Sequence, residues 1–183
     1  MTVASSPEPL IGRDEFLRME DAAPAGVRLE RMDGYVYAMA GAGLAHERVV
    51  ARLVATLSPS ARAHGCEVFA SNRRLSIAAD TDFLPDVSVY CDPTDDDDYA
   101  GRRPCLVVEV LSRSTALDDL NLKVPRYQAV PSVTAVILVN PEPFYVDIFR
   151  RAVDGWIHEH HTDPAVIVAL DCPPCDLALA DLT

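Results

Sequence analysis

The sequence predicts an α/β (α+β) fold, a mixed sheet flanked by helices and carrying added β-hairpins. Three observations lead there. Residues 104–111 and 134–140 are apolar on both faces, as strands covered from both sides read. Asp-Gly pairs at 33–34 and 154–155 separate extended apolar runs, which marks antiparallel hairpins. Residues 44–64 and 115–130 carry apolar side chains at helical spacing. The order hairpin, helix, strands, helix, strands calls for one mixed sheet.

Each element has a local reason. Residues 1–12 are small and polar and read as a loose tail, with 13–183 as one domain. Asp14 to Glu20 suits a short helix. Val27–Met32 and Tyr35–Ala40 form the first hairpin, and Gly41-Ala-Gly43 ends it. The long helix from Leu44 to His64 has Val50, Leu53, Val54, Leu57 and Ala61 as its stripe, with Pro59 expected to bend or stop it near Leu57. Glu67–Ala70, Arg73–Ala78 and Phe83–Tyr90 read as strands, the last with Pro85 near its start. Asp92 to Asp98 is a solvated loop with five aspartates. In the helix after the first buried strand, Leu117, Leu120, Val124 and Tyr127 face inward, and Pro125 marks a kink or a late start. Phe144–Ala152 and Trp156–His161 flank the second Asp-Gly. Residues 162–183 are rich in Pro and Asp, with one strand expected at 165–170.

Composition narrows the function. At 183 residues, with 49% hydrophobic and 24% charged, the chain has the balance of a soluble globular protein with a full core. No apolar run spans a bilayer and no signal peptide is visible, so a cytoplasmic protein without membrane partners is expected. Twenty-eight acidic against sixteen basic residues give −12, which argues against gripping nucleic acid by bulk electrostatics. An acidic site that meets DNA through metal ions stays open. Five cysteines, an odd number without an export signal, argue against a disulfide framework.

One constellation carries chemistry. Glu109 sits inside the most apolar strand, sharing a face with Cys105, Val107 and Leu111 by strand alternation. A buried carboxylate is costly unless compensated. Asp86 opens the preceding strand. Two neighbouring carboxylates repel unless a cation lies between them, and Mg²⁺ favours one or two carboxylates plus waters and phosphate oxygens. Lys123 follows Glu109 by fourteen residues, on the next helix, where it can reach the same pocket.

The segments Phe83-Leu-Pro-Asp-Val-Ser-Val and Leu106-Val-Val-Glu-Val-Leu-Ser-Arg-Ser-Thr115, followed by Asp119, Lys123 and Tyr127, resemble the bacterial Uma-type restriction endonuclease family of the PD-(D/E)XK nuclease superfamily. Leu29-Glu-Arg-Met-Asp-Gly-Tyr-Val-Tyr-Ala-Met-Ala, the helix containing His46, and Ala135-Val-Ile-Leu-Val-Asn-Pro141 extend the resemblance over about residues 14–165. It implies a restriction-endonuclease-like fold and Mg²⁺- or Mn²⁺-dependent hydrolysis of phosphodiester bonds in DNA. Asp86 and Glu109 match the catalytic, metal-holding acids. The superfamily usually places its lysine two residues after the second acid, where this chain has Leu111; the Uma-type pattern draws it from the next helix, as Lys123. Glu30 matches an acidic position and is a candidate additional metal ligand. His46 also matches, without an assigned role, and its place on the apolar stripe suits a hydrogen-bonded core histidine.

Two other functions compete. A nuclease fold that binds without cutting would keep the acids and turn Lys123 to solvent. A thiol or zinc protein would use Cys172 and Cys175, a lone Cys-x-x-Cys. His158 and His160 share a strand face and read as an exposed hairpin edge. A homodimer is expected, since two-fold pairs are common and paired sites would cut both strands.

Overall fold

The computed structural model describes residues 10–39, 41–112 and 119–183. The expected tail falls largely on residues 1–9, and the expected start of the second helix, with Leu117, on 113–118; both lie outside the described residues.

After α1 (Arg13–Asp21), the first hairpin pairs β1 (Leu29–Met32) with β2 (Tyr35–Ala38), Met32 facing Tyr35. Asp33 and Gly34 both hold positive φ, 52° and 81°, as a tight two-residue hairpin needs. Then come α2 (Leu44–Ala63), β3 (Glu67–Ala70), β4 (Arg74–Ala78), β5 (Thr81–Phe83), β6 (Val87–Tyr90), β7 (Ala100–Gly101) and β8 (Pro104–Val110). A π-helical turn, Asp119–Lys123, runs into α3 (Val124–Ala129), with Pro125 in the first turn of α3. The chain continues through β9 (Ala135–Pro141), β10 (Phe144–Ala152), β11 (Gly155–His161), β12 (Ile167–Asp171), β13 (Pro174–Ala178) and a 3-10 turn, Leu179–Leu182.

The main sheet is mixed and six-stranded, in the order β11-β10-β9-β8-β6-β3, with β8 and β9 as its parallel pair. A second sheet, β2-β1-β5-β4-β7, has five strands, and β12 pairs with β13 alone. One core packs α2 (Val50, Leu53, Leu57) and the C-terminal hairpin (Leu170, Leu177) on Leu106 and Val108 of β8. A second joins Val107, Val136 and Leu138 of the main sheet to Val124 and Tyr127 of α3 and to Leu75 and Phe83 of the second sheet.

Five expectations are corrected. α2 does not stop near Leu57: buried Leu57 and Ala61 continue one stripe across Pro59, so tertiary packing overrides the local break. Phe83–Tyr90 is not one strand. Its residues divide between β5 and β6, which lie in different sheets, because Pro85 has no N–H for a ladder. Residues 162–183 are an ordered hairpin and turn whose Val168, Leu170, Leu177, Leu179 and Leu182 are buried. Cys105 does not share the Glu109 face. The β6–β8 register shifts between Val89 and Tyr90, leaving Cys105 as an extra residue, and such a bulge re-aims its side chain, here toward the α2 core. Finally, disulfides join Cys66 to Cys91 and Cys105 to Cys172, while Cys175 is free. Sequence separations of 25 and 67 residues conceal a proximity that β3–β6 pairing creates for the first bridge and packing of the C-terminal hairpin against the main sheet creates for the second.

Candidate active site

The chain crosses from the second sheet to the main sheet at Leu84-Pro85-Asp86, and the candidate residues converge there. Val87 pairs with Val108, so Asp86 meets Glu109 at the end of the β6–β8 ladder. Each acid accepts a backbone N–H from the other's segment. The Asp86 N–H donates to Glu109 Oε2 at 3.2 Å, and the Val110 N–H donates to Asp86 Oδ2 at 2.8 Å. Both carboxylates are buried, 6% and 3% exposed, which makes their compensation obligatory.

Lys123 supplies part of it. It closes the π-helical turn before α3, and its Nζ lies 2.9 Å from Glu30 Oε2 and 3.4 Å from Glu109 Oε1. Its cation also stands 5.5 Å from the centre of the Phe83 ring, a further favourable contact. Glu30, on β1, is anchored from behind by the Leu84 N–H at 2.8 Å. Neighbouring Arg31 leaves β1 on the opposite face and pairs with buried Asp82 at 2.6 Å, so β1 keeps its two charges apart.

Tyr127 lies one helical turn beyond Lys123, on the same face of the chain. Its hydroxyl donates to Glu109 Oε1 at 2.5 Å, and its ring meets Phe83 edge-on at 5.6 Å. Sequence reasoning places Tyr127 in the core and misses this bond; the signal is its spacing of four from Lys123. His46, near the start of α2, reaches Asp86 Oδ2 with Nε2 at 3.0 Å. Burial works to lower the His46 pKa, but the hydrogen bond to Asp86 and the charges of Asp86 and Glu47 outweigh it and raise it.

The donor set fits a hard divalent cation. Asp86 and Glu109 offer oxygen ligands, and among the described residues no donor meets Asp86 Oδ1. Glu30 meets the lysine with both of its carboxylate oxygens, at 2.9 and 3.1 Å. All five expected residues, Glu30, His46, Asp86, Glu109 and Lys123, are therefore linked in one cluster of hydrogen bonds and ion pairs. Cys172 and Cys175 do not form a pair, because Cys172 is bonded to Cys105. His158 and His160 lie on edge strand β11 and both hydrogen-bond Asp147 Oδ1, at 2.7 and 2.8 Å. Among the described residues, no helix is long and apolar enough to cross a membrane.

The profile of the family described as "Uma2: Putative restriction endonuclease" matches residues 13–180. An uncharacterized protein of Synechocystis sp. is 32% identical over 156 residues, covering 84% of this chain and 81% of that protein. A second uncharacterized Synechocystis protein is 31% identical over 144 residues, covering 76% and 80%. A crystal structure titled as a putative nuclease belonging to DUF820, from Anabaena variabilis, superposes with a TM-score of 0.76 at 17% identity, over 94% of this chain and 97% of that one; that likeness is one of fold. With the family profile spanning nearly the whole length, the chain belongs to the Uma2 family of putative restriction endonucleases.

Proposed function

We propose that this protein is a metal-dependent endonuclease hydrolysing phosphodiester bonds in DNA. The observation that carries the reading is the position of Lys123, whose ammonium touches Glu109, the partner of Asp86, although it comes from a different element. The reading of a nuclease fold that binds without cutting expects Lys123 turned to solvent, and its contacts with Glu30 and Glu109 do not match that.

Asp86 and Glu109 would hold Mg²⁺ or Mn²⁺, which in such sites lowers the pKa of a bound water and neutralises phosphate charge. Each of the chain's own residues has a separate task. The Val110 and Asp86 N–H groups fix the two carboxylates in place. Tyr127 holds Glu109 from the helix side. Lys123 positions a nucleophilic water or offsets charge developing on the phosphate. Glu30 holds the Lys123 ammonium at 2.9 Å, closer than Glu109 does at 3.4 Å, which supports a role in aiming it ahead of one in binding metal. His46 holds Asp86 Oδ2. A two-fold dimer would present one such pocket to each strand of a duplex.

The test is cleavage of supercoiled and linear DNA with Mg²⁺ or Mn²⁺ by wild type, Glu109→Gln and Lys123→Met. Loss of cleavage in both variants, with folding intact by circular dichroism, supports the reading. Cleavage that survives Glu109→Gln removes it.

A further inference from the structure

A second cluster lies at the other end of the same two strands. Cys91 follows β6 by one residue and Cys105 is the bulged residue of β8. The acids stand five and four residues away along those strands, roughly 13–17 Å at a strand's rise per residue. Cys66 closes the α2–β3 connection, and Cys172 sits in the turn between β12 and β13. Four separate segments thus bring four sulfurs to one point.

The two disulfides touch. Cys91 Sγ lies 3.3 Å from Cys172 Sγ and 3.6 Å from Cys105 Sγ, although each belongs to the other bridge. The sulfurs of Cys66, Cys91 and Cys172 all lie within 4.8 Å of one another. Tetrahedral zinc with Zn–S bonds of about 2.3 Å has sulfur–sulfur edges of about 3.8 Å, close to the separations between the bridges. The bulge adds a second observation: without it, alternation would turn Cys105 to the opposite face, away from this group.

We propose that, in its reduced form, the chain binds one structural zinc ion through the thiolates of Cys66, Cys91, Cys105 and Cys172. Each disulfide takes two electrons and two protons from a dithiol reductant, which leaves as its own disulfide. Four thiols result, and they release four protons as the ion binds. The four ligands are all protein, a closed set that suits a structural rather than a catalytic site. The ion would clamp the C-terminal hairpin, through Cys172, to the main sheet and to the end of α2. Cys175 stays outside, a free thiol whose pKa burial and neighbouring Asp176 push up.

The test uses the full chain, prepared anaerobically with a dithiol, desalted and analysed for metals. One zinc per chain is expected, retained in Cys175→Ser and lost in Cys66→Ser and Cys172→Ser. Replacement of zinc by Co²⁺ should give the intense thiolate-to-metal charge-transfer band of a tetrahedral sulfur site, and a strong chelator should lower the Tm of the reduced protein. Less than a tenth of an equivalent of zinc in the reduced wild type overturns the proposal, whatever the variants do. So does zinc retained in Cys66→Ser, or a Co²⁺ spectrum without thiolate bands.

Discussion

Tyr127 donates its hydroxyl hydrogen to Glu109 Oε1 at 2.5 Å while remaining entirely buried. That oxygen also faces the Lys123 ammonium at 3.4 Å, so two residues one helical turn apart hold the same atom. Tyr127→Phe keeps the ring against Phe83 and removes only the bond. Stability should fall by about 0.5–1.5 kcal/mol. If the proposed nuclease reading is right, cleavage should fall by about tenfold, because Glu109 gains freedom without losing charge. Urea denaturation and a cleavage time course on the same preparation check both parts.

Glu30 and Glu109 flank Lys123 unequally in the proposed mechanism. Glu109→Gln removes a charge that both lysine and metal need and should abolish cleavage. Glu30→Gln keeps the shape and loosens only the ammonium, so a loss of about 10- to 100-fold is expected, within the span of a positioned acid–base group. Single-turnover rates at saturating Mg²⁺ separate the two. Equal losses would place Glu30 among the metal ligands, and no loss would leave it a structural partner of Lys123.

How much of this site can be read from the sequence depends on what makes each residue conspicuous. Glu109 is legible because a charge within an apolar strand demands a compensating partner. Asp86 is legible only as its companion, since Pro-Asp is also ordinary turn chemistry. Lys123 carries no such mark on a helix and stands out through family resemblance. Tyr127 is among the residues that carry the resemblance, but it is apolar over most of its surface and sits in a helical stripe, so the sequence gives it packing and no bond to Glu109. The hairpins announce themselves through Asp33-Gly34 and Asp154-Gly155, where backbone chemistry is local. The division of 83–90 between two sheets is marked locally only by Pro85, while the bulge at Cys105 and the pairing of the cysteines depend on contacts across distant segments that no local pattern encodes.

DNA binding, and not cleavage alone, is expected to need a divalent ion. The net charge is −12, and nearby cations are engaged: Arg126 pairs with Asp33, and Arg28 donates to the Ser71 carbonyl at 2.8 Å. A chain of this net charge offers a duplex little bulk attraction. Fluorescence anisotropy with a labelled duplex and the Lys123→Met variant, which is expected not to cleave, should show affinity falling about 100-fold or more in EDTA, toward the weak non-specific range. Unchanged affinity in EDTA would mean that contacts outside the acids hold the DNA.

The C-terminal hairpin should behave as core despite its Pro- and Asp-rich sequence. Leu177 is fully buried and packs in the cluster that joins α2 to β8. Leu177→Ala should cost about 2–5 kcal/mol, the range for truncating a buried leucine. A polar, unpacked tail would show almost no change in the denaturation midpoint, so the single substitution decides between the two descriptions.

Arg31 and Asp82 give the last expectation. Arg31 Nε and one terminal nitrogen bond Asp82 Oδ2 at 3.1 and 2.6 Å, and its remaining donors reach the carbonyls of Ile11 at 3.0 Å and Ala79 at 2.9 Å. Both residues are completely buried, beside the Phe16 ring. Asp82 in turn accepts from Ser76. Removing one partner leaves a desolvated charge, so Asp82→Ala should cost about 3–5 kcal/mol. Arg31→Met combined with Asp82→Leu removes both charges and should recover much of that loss. The pair lies across β1 from Glu30, and strand alternation separates the two faces. The double variant should therefore keep its cleavage rate while its denaturation midpoint moves. A parallel loss of cleavage would show that this buried pair sets the position of Glu30, and with it the aim of Lys123.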